Sequence, residues 1–311
     1  GRGMPVDIHP EYGQSGIEII LTKLHEGGKF STDNYQFSGG LHGVGISVVN
    51  ALSTRVEVKV QRQGNLYKMA FEQGVPVSEL EIFEGKAPKR ASGTSVHFWP
   101  EAKYFDSPKF ALKALKHNLK AKAVLAAGLQ INYIDQINDE KIVWQFENGL
   151  VDYLMDELED RELLPSPAFV ATGEAERASA EFAICWSAEG GEQIQESYVN
   201  LIPAAQGGTH GNGLRSGVTD AMREFCELRN LLPRNLKLAA EDVWDGVNYI
   251  LSLKFQEPQF SGQTKERLSS REASNIMLNI AKDAFALWLN QNSDVAMQLA
   301  EMMIAKAGRR L

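Results

Sequence analysis

Cysteine is almost absent from this sequence: two in 311 residues, Cys185 and Cys226, each in apolar surroundings and without metal-ligand spacing. That excludes a disulfide scaffold and a cysteine-rich metal site, and it predicts reduced core thiols of the cytosolic kind. No apolar run approaches the roughly 18 residues of a membrane span, and no signal-like hydrophobic region opens the chain. The expectation is a soluble, cytoplasmic protein with no membrane partner. An excess of positive charge is missing too. The net charge is -8, with 23% charged and 43% hydrophobic residues. Such a chain buries a real core and is not a general polyanion binder, so DNA would have to meet a local basic surface. An initiator methionine is also lacking. The chain opens at Gly1-Arg2-Gly3-Met4-Pro5, and a Gly-rich turn is an unusual place for a natural protein to start, so a preceding segment is expected.

What is present reads as two domains, in keeping with roughly 100–200 residues per domain. Ile17, Ile20, Leu21 and Leu24 carry the i, i+3, i+4, i+7 spacing of a helix over 15–26, which Gly27-Gly28 ends. A polar loop, 29–38, leads into Gly39-Gly40-Leu41-His42-Gly43-Val44-Gly45 and a short buried helix over 46–52. The period then changes to two: Val56, Val58 and Val60 alternate with charged residues, and strands follow at 66–72, 94–99, 130–134 and 141–146. A long helix is predicted over 107–126, framed by Ser107-Pro108 and closed by Gly128. This first region reads as α+β, its sheet covered on one face by helices. Near 150 the pattern resets. A helix carrying Val151, Leu154, Met155 and Leu158 precedes Leu164-Pro165-Ser166-Pro167. Beyond it come strands at 179–187, 194–203 and 247–256, a helix at 213–229, and long helices at 269–291 and 293–309.

Four glycines within residues 39–45 leave the backbone free to approach a ligand. A loop that enters a helix this way presents unpaired N–H groups and the positive end of the dipole, which suits phosphate. A tight loop packing a helix on a sheet fits the same residues, and both readings stand. Two better-known phosphate motifs are excluded. Glu26-Gly27-Gly28-Lys29-Phe30-Ser31 places Phe30 where a P-loop needs Ser or Thr after the lysine. A dinucleotide fingerprint needs its glycines directly after the first strand, whereas here a helix and a loop come first.

Six motifs in one order carry a family resemblance over essentially the whole chain. They are Gly1-Arg2-Gly3-Met4-Pro5, Gly27-Gly28-Lys29-Phe30, the 39–45 glycine loop, Gly93-Thr94-Ser95-Val96-His97-Phe98-Trp99-Pro100, and downstream Gly207-Gly208-Thr209-His210 with Gln263-Thr264-Lys265-Glu266-Arg267-Leu268. The chain resembles the ATPase subunit of bacterial type IIA topoisomerases. Gln36-Phe37-Ser38, the run 196–203, the run 221–226 and the run 287–292 resemble the topoisomerase IV branch (ParE) more than the gyrase branch. The resemblance implies a GHKL (Bergerat) ATPase α/β sandwich over 1–149. A transducer domain of the ribosomal S5 domain 2-like kind follows over 150–311.

The same resemblance implies roles. Gly3 and Pro5 belong to the turn under an adenine ring, with Arg2 over its edge, where a guanidinium stacks for roughly 1–2 kcal/mol when desolvated; a solvated terminal arginine is the plainer alternative. Lys29 and Tyr35 fall near the phosphates and the lid. Gly40, Leu41, His42, Gly43, Val44, Gly45 and Ile46 would wrap the phosphates through backbone amides. His42 fits equally a polar residue at a helix N-terminus. Thr94 would reach the adenine side, although a β-branched residue there also simply suits a strand. Gln263 and Lys265, in an otherwise ordinary polar loop, would reach the γ-phosphate from the second domain, stabilise its charge and distinguish ATP from ADP.

The implied cofactors are ATP and Mg²⁺. In this family the general-base Glu, the Mg²⁺-binding Asn, an adenine-reading Asp and an exchanging N-terminal arm are expected upstream of residue 1. This stretch alone is therefore expected to hydrolyse ATP poorly, and no residue in it is assigned to a metal. Nor is DNA-breaking chemistry expected in it. The implied partners are double-stranded DNA without sequence preference, a second copy through the ATPase domain, and the ParC subunit of topoisomerase IV in a heterotetramer. Arg215, Arg223, Arg229 and Arg234 are candidates for phosphate contacts, or else a solvated helix face. The implied activity is ATP-driven capture of a DNA segment for strand passage, decatenation and relaxation. The alternatives are the corresponding gyrase subunit (GyrB), or a non-enzymatic clamp module of the same superfamily.

Overall fold

A computed structural model describes residues 1–24, 37, 44–159, 161–189 and 191–310. The chain divides into two units, Gly1–Ala111 and Leu112–Leu311.

In the first unit, β1 (Ser53–Arg62), β2 (Asn65–Glu72), β3 (Val75–Pro76), β4 (Glu81–Phe83) and β5 (Gly93–Pro100) form one antiparallel sheet in the order β3-β2-β1-β5, with β4 also paired to β2. Two hairpins follow from Gln63-Gly64 and Gln73-Gly74, where all four residues have positive φ, the backbone hand that matches strand twist in two-residue turns. Alternation on β1 sends Val56, Val58 and Val60 inward. The register sets them opposite Phe71, Met69 and Tyr67 on one side and Phe98, Val96 and Thr94 on the other. Helices α1 (Gly16–Thr22) and α2 (Gly45–Ala51) belong to this core, α1 through Ile17 and Leu21 and α2 through Ile46. Asn50, buried on α2, donates to the Leu21 carbonyl at 2.9 Å and so ties the two helices together.

The second unit is built on a sheet ordered β11-β10-β12-β9-β8. Its strands are β8 (Leu163–Ala175), β9 (Ala178–Ser187), β10 (Gln195–Val199), β11 (Ile202–Pro203) and β12 (Val247–Phe255); β10 and β12 run parallel. One face packs on α5 (Thr209–Leu228), α7 (Arg271–Gln291) and α8 (Ser293–Arg310), with Phe182, Trp186, Leu214, Met222, Phe285 and Met303 fully buried there. The other face carries α3 (Leu112–Leu125) and α4 (Leu150–Glu157). A hairpin of β6 (Ile131–Asp135) and β7 (Glu140–Trp144) links these two helices, and α6 (Ala240–Trp244) precedes β12. Tyr153 on α4 and Tyr198 on β10 both donate to the Glu196 carboxylate, at 3.0 and 2.8 Å, so their buried hydroxyls are satisfied. Cys185 and Cys226 are buried in different cores, and burial pushes their thiols up to about 12 and about 11. No helix among the described residues is long and apolar enough to cross a membrane.

Ala121, Val124 and Leu125 of α3 share a core with Leu150, Tyr153 and Leu154 of α4 and with Ile250 of β12, which places α3 in the second compact unit. One expectation is corrected. Helix α3 begins at Leu112, not 107; proline's ring at 108 disfavours helical backbone in the residue before it. The Leu164–Pro167 stretch, to which the sequence assigns no element, is part of β8. That strand lies at the sheet edge and changes register between Leu164 and Phe169. An edge with an irregularity is where a strand tolerates prolines.

Candidate functional site

The site in the first unit grows from the end of β1. Residues 1–5 run beside the ends of β1 and β5. The Met4 N–H donates to Thr94 Oγ1 at 2.9 Å, and Ser92 Oγ donates to the Gly1 carbonyl at 2.7 Å. Gly3 has φ +83°, and a Cβ there would lie 3.0 Å from Val60 Cγ1 and 3.1 Å from the Gln61 carbonyl. A side chain at 3 would be strained by the positive φ and crowded by these neighbours. Pro5 is pinned by α1: a Cβ at Gly16 would sit 2.5 Å from the Pro5 carbonyl oxygen. Arg2, Gly3, Pro5 and Thr94 are therefore brought to one place by the β1–β5 register.

Arg62 belongs with them, although the sequence reading did not select it. Its Nη1 donates to the Met4 carbonyl at 3.3 Å. The signal was available: Arg62 continues the inward series Val56, Val58, Val60, and an arginine in phase with a buried face needs an acceptor.

Of the glycine loop, Val44, Gly45 and Ile46 lie among the described residues; Lys29, Tyr35, Gly40, Leu41, His42 and Gly43 lie outside them. Val44 is the N-cap of α2, and no side chain caps that helix. Among the described residues no side chain accepts from its first N–H groups, which an intrahelical carbonyl cannot reach. Among the described residues no group of three or more His, Cys, Asp or Glu could hold a metal ion.

In the second unit two motifs far apart in sequence dock on each other. The Leu268 N–H donates to the Gly207 carbonyl at 3.1 Å, and the Thr209 N–H donates back to the Leu268 carbonyl at 3.1 Å. Thr209 Oγ1 donates to the Ser270 carbonyl at 2.6 Å, and the Gln206 N–H to the Glu266 carbonyl at 2.8 Å. Gly208 is required at φ +142°, since a Cβ there would fall 2.4 Å from the Leu268 oxygen. The loop bearing Gln263 and Lys265 is anchored by this ladder. Ser261 N–H bonds the Arg267 carbonyl at 3.0 Å, and Lys265, at φ +58°, donates its N–H to Gly262 at 3.2 Å. Gln263 is exposed and Lys265 half-buried.

His210, in the first turn of α5, is fully buried, and among the described residues neither ring nitrogen has a hydrogen-bond partner. Burial alone lowers its pKa to about 4. The unfolded chain binds this proton below about 6.5, whereas the folded one does not until about 4. Stability is therefore complete above pH 6.5 and declines by roughly 3 kcal/mol on descending to pH 4. Denaturant unfolding across that range, compared with His210→Leu, should show a steeper slope for the wild type; parallel slopes would refute the assignment.

The four candidate DNA-contacting arginines are not equally free. Arg223 Nε donates to the Leu238 carbonyl at 2.8 Å, Arg215 lies 3.7 Å from Glu241, and the Arg229 guanidinium lies 4.6 Å from the centre of the Phe225 ring. Arg234 is exposed.

The described elements form a GHKL-type ATPase layer followed by a second α/β unit that ends in long helices, the class of protein found in gyrase and topoisomerase IV B subunits. The family model described as DNA gyrase B matches residues 149–311. The chain is 61% identical to the B subunit of DNA topoisomerase 4 from Pseudomonas aeruginosa and 57% identical to that from Escherichia coli, over 100% of this chain and 49% of each relative. It thus spans about half the length of the curated relatives it matches. The topoisomerase IV ATP-binding domain of Francisella tularensis, solved with a small-molecule inhibitor, is 44% identical with a TM-score of 0.82, covering 100% of this chain and 82% of that one. The 43K ATPase domain of Thermus thermophilus gyrase B, solved with an aminocoumarin, is 28% identical with a TM-score of 0.81, covering 100% and 79%. The chain belongs to the DNA gyrase B family, on its topoisomerase IV side.

Proposed function

We propose that this chain is the ATP-operated part of the ParE subunit of a topoisomerase IV. ATP closes two copies around a DNA segment, and hydrolysis resets them, so that the whole protein passes, decatenates and relaxes DNA together with its ParC partner. The observation that supports this best is the seating of the Gly3 turn on β1 and β5 with Thr94 bound to Met4, Met4 sharing its core with Ile46 of α2.

In this reading a flat ring lies against the bare Gly3 backbone, where no Cβ intrudes, and Thr94 Oγ1 offers a hydroxyl to its polar edge. Arg2 covers the ring. The α2 amides, continuing the glycine loop from Gly40 to Gly43 with Leu41 and His42, hold phosphate oxygens, and Lys29 and Tyr35 act near them. Lys265 and Gln263 act on the γ-phosphate. Mg²⁺ would accompany the triphosphate and supply charge neutralisation when bound; no residue of this chain is assigned to it. Sequence-independent DNA contact calls for basic side chains that carry no base information. Of the four arginines, Arg234 suits that role best, being exposed while the other three engage Leu238, Glu241 and Phe225. A cytoplasmic location belongs to the same reading.

The test is titration of the whole protein with a non-hydrolysable ATP analogue, reading association by light scattering and retention of circular DNA at high salt. Saturable binding, dimer closure and trapped DNA are expected. DNA binding that ignores the analogue would sink the enzyme reading and leave a passive clamp.

A further inference from the structure

The sheet of the first unit has a second face, turned away from the Val56–Val58–Val60 core. An open groove of about 390 Å³ lies on it, lined by Lys59, Gln61, Leu66 and Lys68 and, from β5, Gly93–Ser95. We propose that this groove binds a phosphate group; it shares only Thr94 with the nucleotide reading above.

The argument begins with register. Lys59 on β1 stands directly opposite Lys68 on β2, and its other cross-strand neighbour is Ser95 on β5. Like charges directly opposite on one sheet face destabilise the pairing unless something compensates them. The nearby acids are largely committed elsewhere. Glu57 and Glu72 both pair with Arg55 at 2.9 Å, and among the influences on Glu57 that of Lys59 is the weakest. Glu81 lies across from Lys68 on the far side, at β4. Lys59 itself is exposed, and its side chain makes no ion pair or hydrogen bond to another described residue.

Lining chemistry points the same way. The groove has no carboxylate, and its polar side chains are two ammonium groups, an amide and hydroxyls, each able to donate. Lys68 is also placed, because its Nζ sits 5.0 Å from the centre of the Phe83 ring, a cation–π contact that holds the charge at the groove wall. Leu66 supplies an apolar patch beside them. Two positive charges, that of Lys68 held by the Phe83 ring, with neutral donors between them suit an oxyanion bearing more than one negative charge. A small polyphosphate and a nucleic-acid backbone both present that chemistry.

Amide shifts of the ¹⁵N-labelled chain titrated with inorganic pyrophosphate test the site. Saturable shifts are expected at the amides of Lys59, Gln61, Lys68 and Ser95. The double variant Lys59→Gln/Lys68→Gln, altered only on this open face, should lose at least tenfold in affinity. In a parallel arm with a mixed-sequence duplex, a nucleic-acid source would show as competition with pyrophosphate and a salt slope shallower by about two in the variant. Duplex that leaves bound pyrophosphate in place would identify the small polyphosphate. Absence of shifts at those four amides, or unchanged affinity in the double variant, overturns the proposal. Shifts confined to Met4 and Val44–Ile46 would do so too, while leaving the nucleotide reading intact.

Discussion

Replacement of Lys265 by alanine in the whole protein is expected to lower the kcat for ATP hydrolysis by a factor of about a hundred, with a much smaller change in KM. The charge that Lys265 would meet is that of the transferred phosphoryl group, and one preorganised donor at such a place is worth roughly 10²–10³ in rate. Preorganisation has a visible origin. The residue sits at φ +58° in a loop whose ends are stapled by Ser261–Arg267, Gln206–Glu266 and the reciprocal Gly207–Leu268 and Thr209–Leu268 bonds. Lys265→Arg keeps the charge on a larger, planar head and should recover part of the rate; Lys265→Met should not. Because the backbone ladder does not involve this side chain, folding should be unaffected, and a thermal melt serves as control. A kcat within threefold of the wild type in Lys265→Ala would remove this residue from the reaction.

The second large effect concerns the seam between α5 and α7. Alanine at Gly213 would put its Cβ 2.3 Å from the Ser274 carbonyl oxygen and 2.8 Å from Met277 Cβ; at Gly217 it would fall 2.5 Å from the Leu278 carbonyl oxygen and 2.9 Å from Ala281 Cβ. These neighbours are mostly helix backbone, so relief requires the two helices to separate, and that opens the core around Leu214, Met277, Ala281 and Phe285. Overpacking ordinarily costs about 1–3 kcal/mol, and a rigid backbone contact belongs at or beyond the top of that range. For a unit of this size that lowers the melting temperature by roughly 6–12 °C. Gly211, on the same helix, is the internal control. A Cβ there would meet only Tyr249 Oη, at 3.9 Å, so Gly211→Ala should stabilise by about 0.5–1 kcal/mol through helix propensity. One substitution type within one helix thus has opposite signs at positions two and six residues apart. A melt of Gly213→Ala at or above the wild-type temperature would contradict this packing.

Much of this was legible in the residues because it rests on local periodicity. Alternation around Val56, Val58 and Val60 marks β1, and the spacing of Ile17 and Leu21 marks α1. The long apolar faces of α5, α7 and α8 appear at nearly their observed limits. What an edge position decides was not legible: nothing in Leu164–Pro167 marks it as strand, yet β8 carries Pro165 and Pro167 because its outer side has no neighbouring strand. Nor was the packing of α3 on α4, because packing rather than pattern decides which unit a helix joins.

The site divides in the same way. Motif order in the sequence, from the Gly1 turn through the glycine loop to the Lys265 loop, was enough to assign the family and nominate Gly3, Thr94 and Lys265, since backbone-hugging sites demand glycine and phosphate chemistry demands cations at set intervals. Only the tertiary structure could decide that Arg62 joins the Met4 turn, that Gly208 closes on Leu268, that Gly213 and Gly217 admit a second helix, and that two lysines nine residues apart face each other across β1 and β2. Each of these depends on the register between segments distant along the chain, and register is set by the global fit of the core, which no local window of residues contains.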